Sequence, residues 1–189
     1  MKKISSIALT VLTVVLLVGC ASIVPSDAGY VYMSGITPAG DNGVWKAKSY
    51  VDEFRNPTDK RYIVTQSVGT FSNSATNGSK LYAEIIVNRN SVEINLLEYG
   101  SYPISVIGSD SSIDVRINVN GETIELGRAW FSESTKRLTI YNTLPLFKAL
   151  VENPEITMLV TINDYGLSKY LFDINSAGFE YTYHEAFLK

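Results

Sequence analysis

The sequence is poor in the side chains on which many enzymes and metal sites depend. It has one cysteine, Cys20, and one histidine, His184. A lone cysteine excludes an intrachain disulfide, and zinc sites built from cysteine and histidine need more such ligands than the chain has. Glycines are spaced as turns: Gly100 to Gly108 and Gly121 to Gly127 do not form a phosphate-cradling loop. Basic residues are also few, 16 Lys and Arg against 19 Asp and Glu, for a net charge of −3. Nucleic acid is therefore not an expected partner, because its binding needs a basic footprint. No cofactor or metal is expected, and no residue is assigned a catalytic role. His184, beside Glu185 on a predicted helix, reads as a surface or half-buried histidine rather than a general base. Asp52, Glu53 and Asp59 flank a short loop without the spacing of a calcium-binding hand. They read as solvated carboxylates paired with Arg55, Lys60 and Arg61. A carboxylate-based hydrolase stays open as an alternative, but nothing selects its two acids.

The N-terminus carries more information. Met1-Lys2-Lys3 is positive, and Ile7 to Val18 is apolar and uncharged, interrupted only by Thr10 and Thr13. That length fits a secretory signal and falls short of the roughly 20 residues a spanning helix needs. Leu17-Val18-Gly19-Cys20 resembles the bacterial lipobox, in which a small residue precedes the cysteine. The resemblance implies a diacylglyceryl group on Cys20 and cleavage before it, with residues 1–19 as the signal. Such lipidation also accounts for the odd cysteine of an exported chain. Two or more acyl chains anchor stably, whereas one gives only marginal attachment. Removing Lys2 and Lys3 with the signal leaves 14 basic against 19 acidic side chains, a net of −5. Charge would not draw this domain to an anionic bilayer. Membrane attachment is therefore expected through Cys20 alone. Ala21 resembles an outer-membrane sorting signal. The expected address is the outer membrane in a two-membrane source, and the outer face of the cell membrane otherwise.

Residues 20–43 read as a lipidated tether, punctuated by Pro25, Gly29, Gly35, Pro38, Gly40 and Gly43. Tyr30-Val31-Tyr32-Met33 interrupts it and is read as a first strand docked on the domain, with an apolar, sticky part of the tether as the alternative. From Val44 to Lys189 the pattern is that of one β domain. Strands are predicted over 44–51, 61–71, 80–88, 91–99, 103–107, 112–119, 123–126, 128–132, 137–141, 155–163 and 169–174. In several, apolar residues alternate with polar ones; Leu81, Ala83, Ile85 and Val87 share one face. Asn120-Gly121 between two alternating runs predicts a tight hairpin. Two helices are predicted, at 144–151 with Thr143 as its cap and at 176–188. The fold class is mostly β: a β-sandwich or flattened antiparallel barrel with one or two short helices.

The remaining site-like feature is aromatic. Trp45, Tyr50, Phe54 and Tyr62 gather near the first strands of the domain, and Trp130-Phe131 comes later. Aromatics on a sheet face stack on sugars or peptides and dominate interface energetics. The competing reading, favoured for Trp45 and Trp130, is packing in the core or at its rim. Trp45, the segment Tyr50-Val51-Asp52-Glu53-Phe54 with Pro57-Thr58, and the ending Phe172-Asp173-Ile174 with Gly178-Phe179 resemble an uncharacterised group of small exported bacterial proteins. In outline, residues 44–189 are also similar to the invasion-associated locus B family, although the paired cysteines usual there are missing. Neither resemblance implies a catalytic residue. The expectation is a non-enzymatic binding module presented in the envelope by a lipid anchor, with a protein or glycan partner. A structural or assembly component of the envelope is the alternative.

Overall fold

A computed structural model describes residues 23–25, 31–33, 44–106 and 111–189. Cys20, the signal and most of the tether lie outside the described residues. Strands β1 (Ile23–Pro25) and β2 (Val31–Met33) pair with each other in a two-stranded sheet of their own. The strand expected at 30–33 is therefore present, but it pairs with β1 and not with the main sheet.

The domain is built on one eleven-stranded antiparallel sheet. Its strands are β3 (Lys46–Val51), β4 (Pro57–Ser72), β5 (Ser79–Val87), β6 (Val92–Glu98), β7 (Tyr102–Pro103), β8 (Ser112–Val119), β9 (Glu122–Arg128), β10 (Trp130–Ser132), β11 (Arg137–Ile140), β12 (Glu155–Asn163) and β13 (Leu167–Asn175). The order across the sheet is β10-β11-β6-β5-β4-β13-β12-β8-β9, with β7 beside β6. β4 is long enough to carry two partners on one edge. β3 pairs with its first half and β13 with its last residues. The two ends of the sheet curl together at β9 and β11, where Asn142 Nδ2 donates to Leu126 O at 3.4 Å. The result is a nearly closed barrel.

Strand period explains the interior. Leu81, Ala83, Ile85 and Val87 of β5 point inward, as do Val92, Ile94 and Leu96 of β6 and the alternating residues Ile113, Val115 and Ile117 of β8. β12 and β13 add Ile156, Met158, Val160, Ile162, Tyr170, Phe172 and Ile174. All belong to one contiguous core. Asn120 and Gly121 close the β8–β9 hairpin with φ of +52° and +90°, the two positive values a type I′ turn requires. A Cβ at Gly121 would meet nothing within 4 Å, so only backbone conformation penalises a side chain there. Gly121→Ala is expected to cost about 1 kcal/mol, measurable as a shift in the urea midpoint at constant slope.

The helices α1 (Leu144–Glu152) and α2 (Phe179–Phe187) pack near one end of the barrel. Leu146, Phe147, Ala149 and Leu150 form the buried stripe of α1. Phe179 and Tyr183 of α2 are almost fully buried, and their rings meet Phe147, the first tilted at 49° and the second edge-on at 62°. Thr143 stands at the cap position of α1, but its side chain makes no capping bond. Its backbone is already helical, with φ −88° and ψ −18°, whereas a capping side chain normally hangs from extended backbone. Its carbonyl instead accepts from Phe147 N at 2.9 Å.

Burial of tyrosines ties stability to alkaline pH. Desolvation pushes the Tyr183 phenol up to about 12 from an ordinary 10. Burial also raises Tyr170, whose hydroxyl donates to Glu98 Oε1 at 2.8 Å. A raised phenol pKa means that the folded state holds its proton more tightly than the unfolded chain does. This contribution is complete below about pH 10 and drains away as pH climbs toward 12. Urea midpoints are expected to fall over that window, and Tyr183→Phe should flatten the fall.

Candidate functional site

The outer wall of the barrel over β3, β4, β5, β6, β11 and β10 presents an ordered set of side chains. Strand register lays one row straight across it. Lys46 faces Val64, Val64 faces Ile86, Ile86 faces Glu93, Glu93 faces Thr139 and Thr139 faces Trp130. Lys48 faces Tyr62 on one side of this row, and Gln66 faces Glu84 on the other. Because β side chains alternate, all of these residues share the face opposite the core. Val64 and Ile86 form a buried apolar floor within the wall.

A hydrogen-bonded network fixes the aromatic part. The rings of Tyr50 and Tyr62 lie 4.7 Å apart, tilted at 47°. Tyr50 donates its hydroxyl to Asn88 Oδ1 at 2.7 Å, and Asn88 Nδ2 donates to Glu93 Oε1 at 3.0 Å. The second Glu93 oxygen accepts from Arg137 Nη1 at 2.9 Å. Both members of that ion pair are partly shielded from water, at 30% and 23% side-chain exposure, so it is less screened than a fully exposed pair. Burial, followed by the nearby Glu93 carboxylate, raises the Tyr50 pKa. The phenol therefore stays a hydrogen-bond donor well above neutral pH. Thr58 Oγ1 adds a bond to Tyr50 O at 3.0 Å and ties the β3–β4 turn to the site.

The structure divides the four residues expected to bind. Tyr50 and Tyr62 come together on the wall. Trp45 does not join them: it is 3% exposed, donates Nε1 to Asn175 O at 2.9 Å and meets the Phe179 ring edge-on at 5.1 Å. It is a core residue that links β3 to α2. Phe54 is 76% exposed at the tip of the 52–56 turn. Asp52 Oδ1 holds that turn by accepting from the backbone N–H groups of Asn56 and Phe54 at 2.8 and 2.9 Å, and these bonds, the Asn56 one foremost, depress the Asp52 pKa. Asp52 is thus committed to its own loop instead of to Arg55 or Lys60, and Arg61 donates to the Glu185 carbonyl. Trp130, expected to pack, is 71% exposed at the far end of the row. Phe131, one residue on, faces inward and packs against the core.

Asn88, Glu93 and Arg137 belong to the site and were not singled out from the sequence. Glu93 between Val92 and Ile94, and Arg137 before Leu138, had to face outward once their neighbours faced inward. His184 is half-buried on α2, one turn after Glu180. Among the described residues, no three of His, Cys, Asp and Glu gather as a metal site, and no helix is long and apolar enough to cross a membrane. No family model, curated protein or solved structure matches the chain.

Proposed function

We propose that the chain is a bacterial envelope lipoprotein, anchored through Cys20, whose barrel serves as a non-enzymatic binding module. One observation carries the recognition part: Tyr50, held by the Asn88–Glu93–Arg137 network, stands against Tyr62 on the outer wall. A fixed pair of amphipathic rings loses little conformational freedom when a partner covers it, and preorganisation of this kind converts contact into affinity. The pair adjoins amide, carboxylate and guanidinium groups, which supply directional bonds to a glycan or protein of the envelope. The lipobox at 17–20 supports the anchor, and Ala21 after it supports an outer-membrane address, or the outer face of the cell membrane in a single-membrane source. Recognition is tested with the mature protein and isolated cell envelopes in a sedimentation assay. The Tyr50→Ala/Tyr62→Ala variant is expected to bind at least about tenfold more weakly, the loss typical of removing an interface hot spot. Unchanged binding by a correctly folded double variant would remove the aromatic pair from the account.

A further inference from the structure

The wall beside Tyr62 contains a second feature. A cavity of about 210 Å³ opens between the start of β3 and the strands β4 and β5. It lies where β4 changes partner, because β13 ends at Asn175 and β3 begins at Lys46 along the same edge. Lys46, Lys48, Gln66 and Glu84 line it above Val64. Lys46 and Lys48 are two residues apart on β3, so their ammonium groups rise from the same face. Among the described residues neither side chain forms an ion pair. Glu84 supplies one carboxylate against the two ammonium groups, leaving a local surplus of positive charge in a domain that is acidic as a whole. Lysines on a strand edge also discourage edge pairing, but that role needs neither a cavity nor an aromatic neighbour. Here Tyr62 follows directly on the same face, two residues before Val64.

We propose that this wall binds an anionic saccharide, one bearing a carboxylate or phosphate on its rings. The inference rests on the binding-module reading above and names its ligand class. A sugar ring stacks on the Tyr62–Tyr50 pair. The adjoining unit places its acidic group between Lys46 and Lys48, where charge-assisted bonds favour it. Gln66 and Glu84 meet its hydroxyls, with the amide able to donate or accept and the carboxylate to accept. The cavity is smaller than the roughly 300–1,000 Å³ of drug-sized sites and suits one ring with its substituent.

The test is calorimetric titration of the full mature protein in detergent with trigalacturonic acid, its fully methyl-esterified neutral counterpart, and inorganic phosphate. The proposal expects the triuronate to bind, the neutral ester to bind about tenfold or more weakly, and the affinity to fall as salt is raised. Lys46→Gln/Lys48→Gln, two exposed positions whose change spares the core, should erase the preference for the acid over the ester. Tyr62→Ala should weaken both sugars. Equal affinity for acid and ester, lost in Tyr62→Ala but intact in the lysine variant, overturns the anionic assignment and leaves the aromatic binding module standing. Phosphate binding as tight as the triuronate removes the saccharide. Failure of every saccharide to bind overturns the ligand class, while envelope sedimentation by the same preparation reports separately on the module itself.

Discussion

Gly69→Ala is expected to be the most damaging single-methyl change in the domain. Gly69 lies in β4, where it faces Phe172 of β13 on one side and Leu81 of β5 on the other. A Cβ there would sit 2.1 Å from Leu171 O, 2.6 Å from Phe172 Cβ and 2.9 Å from Phe172 Cα. Two of these obstacles are backbone atoms of a paired strand, so no rotamer change relieves the clash. β13 would have to leave β4, and that pairing joins the two halves of the sheet. The cost should reach or exceed the upper end of the roughly 1–3 kcal/mol of ordinary overpacking. Small domains are stable by only about 5–15 kcal/mol in total. The protein is therefore expected to show a sharply lower urea midpoint or to accumulate unfolded. Comparison with Gly121→Ala separates the causes, because that site carries a positive φ in open space while Gly69 carries a steric block. Equal effects of the two substitutions would contradict the packing of β13 on β4.

Phe179→Ala is the second large effect. Phe179 is fully buried and its ring meets Trp45, Phe147 and Tyr183, at centroid distances of 5.1, 5.7 and 5.9 Å. It joins α1, α2 and β3 in one aromatic cluster. Truncation removes the transfer energy of the ring and leaves a void that neighbours on three elements cannot all close. A loss of about 3–5 kcal/mol is expected. Because Trp45 shares the contact, its fluorescence should shift toward that of a solvent-exposed indole in this variant before global unfolding. A variant with wild-type stability and unchanged emission would mean that α2 does not pack on the barrel as described.

Much of the architecture was legible because a strand with one buried face repeats every two residues. β8, β9 and β12 were expected within a residue or two of their observed bounds, with a polar–apolar alternation that no helix could satisfy. The sequence predicts β4 from Arg61, whereas the strand begins at Pro57, since Pro57-Thr58-Asp59-Lys60 has the composition of a loop and becomes strand only by pairing with β3. The short strand expected over 103–107 is instead β7, at Tyr102–Pro103. After it, Ile104 N donates to Leu96 O at 3.2 Å, and Ile107 lies outside the described residues.

The aromatic site was legible only in part, for a related reason. Parity along a strand places Tyr50 and Tyr62 outward, and closeness in the chain hints that β3 and β4 are neighbours. Parity cannot show that Asn88, Glu93 and Arg137 come from strands brought beside them. It sets Trp45 on the face opposite Tyr50, toward the core, but it does not place Trp130. The fate of Trp45 is decided by α2, more than 130 residues later, while Trp130 faces outward on an edge strand only three residues long. Tertiary packing settles how deeply each is buried, which the local sequence around them does not show.

Intact-mass analysis of the native protein released from bacterial envelopes goes most directly to the heart of this account. The expected species begins at Cys20, lacks residues 1–19, and is heavier than its polypeptide by a diacylglyceryl group, with a further acyl chain where the amine is also modified. A mature chain with a free thiol at its first residue, or one that retains residues 1–19, would contradict the anchor and with it the envelope-bound role proposed for the barrel.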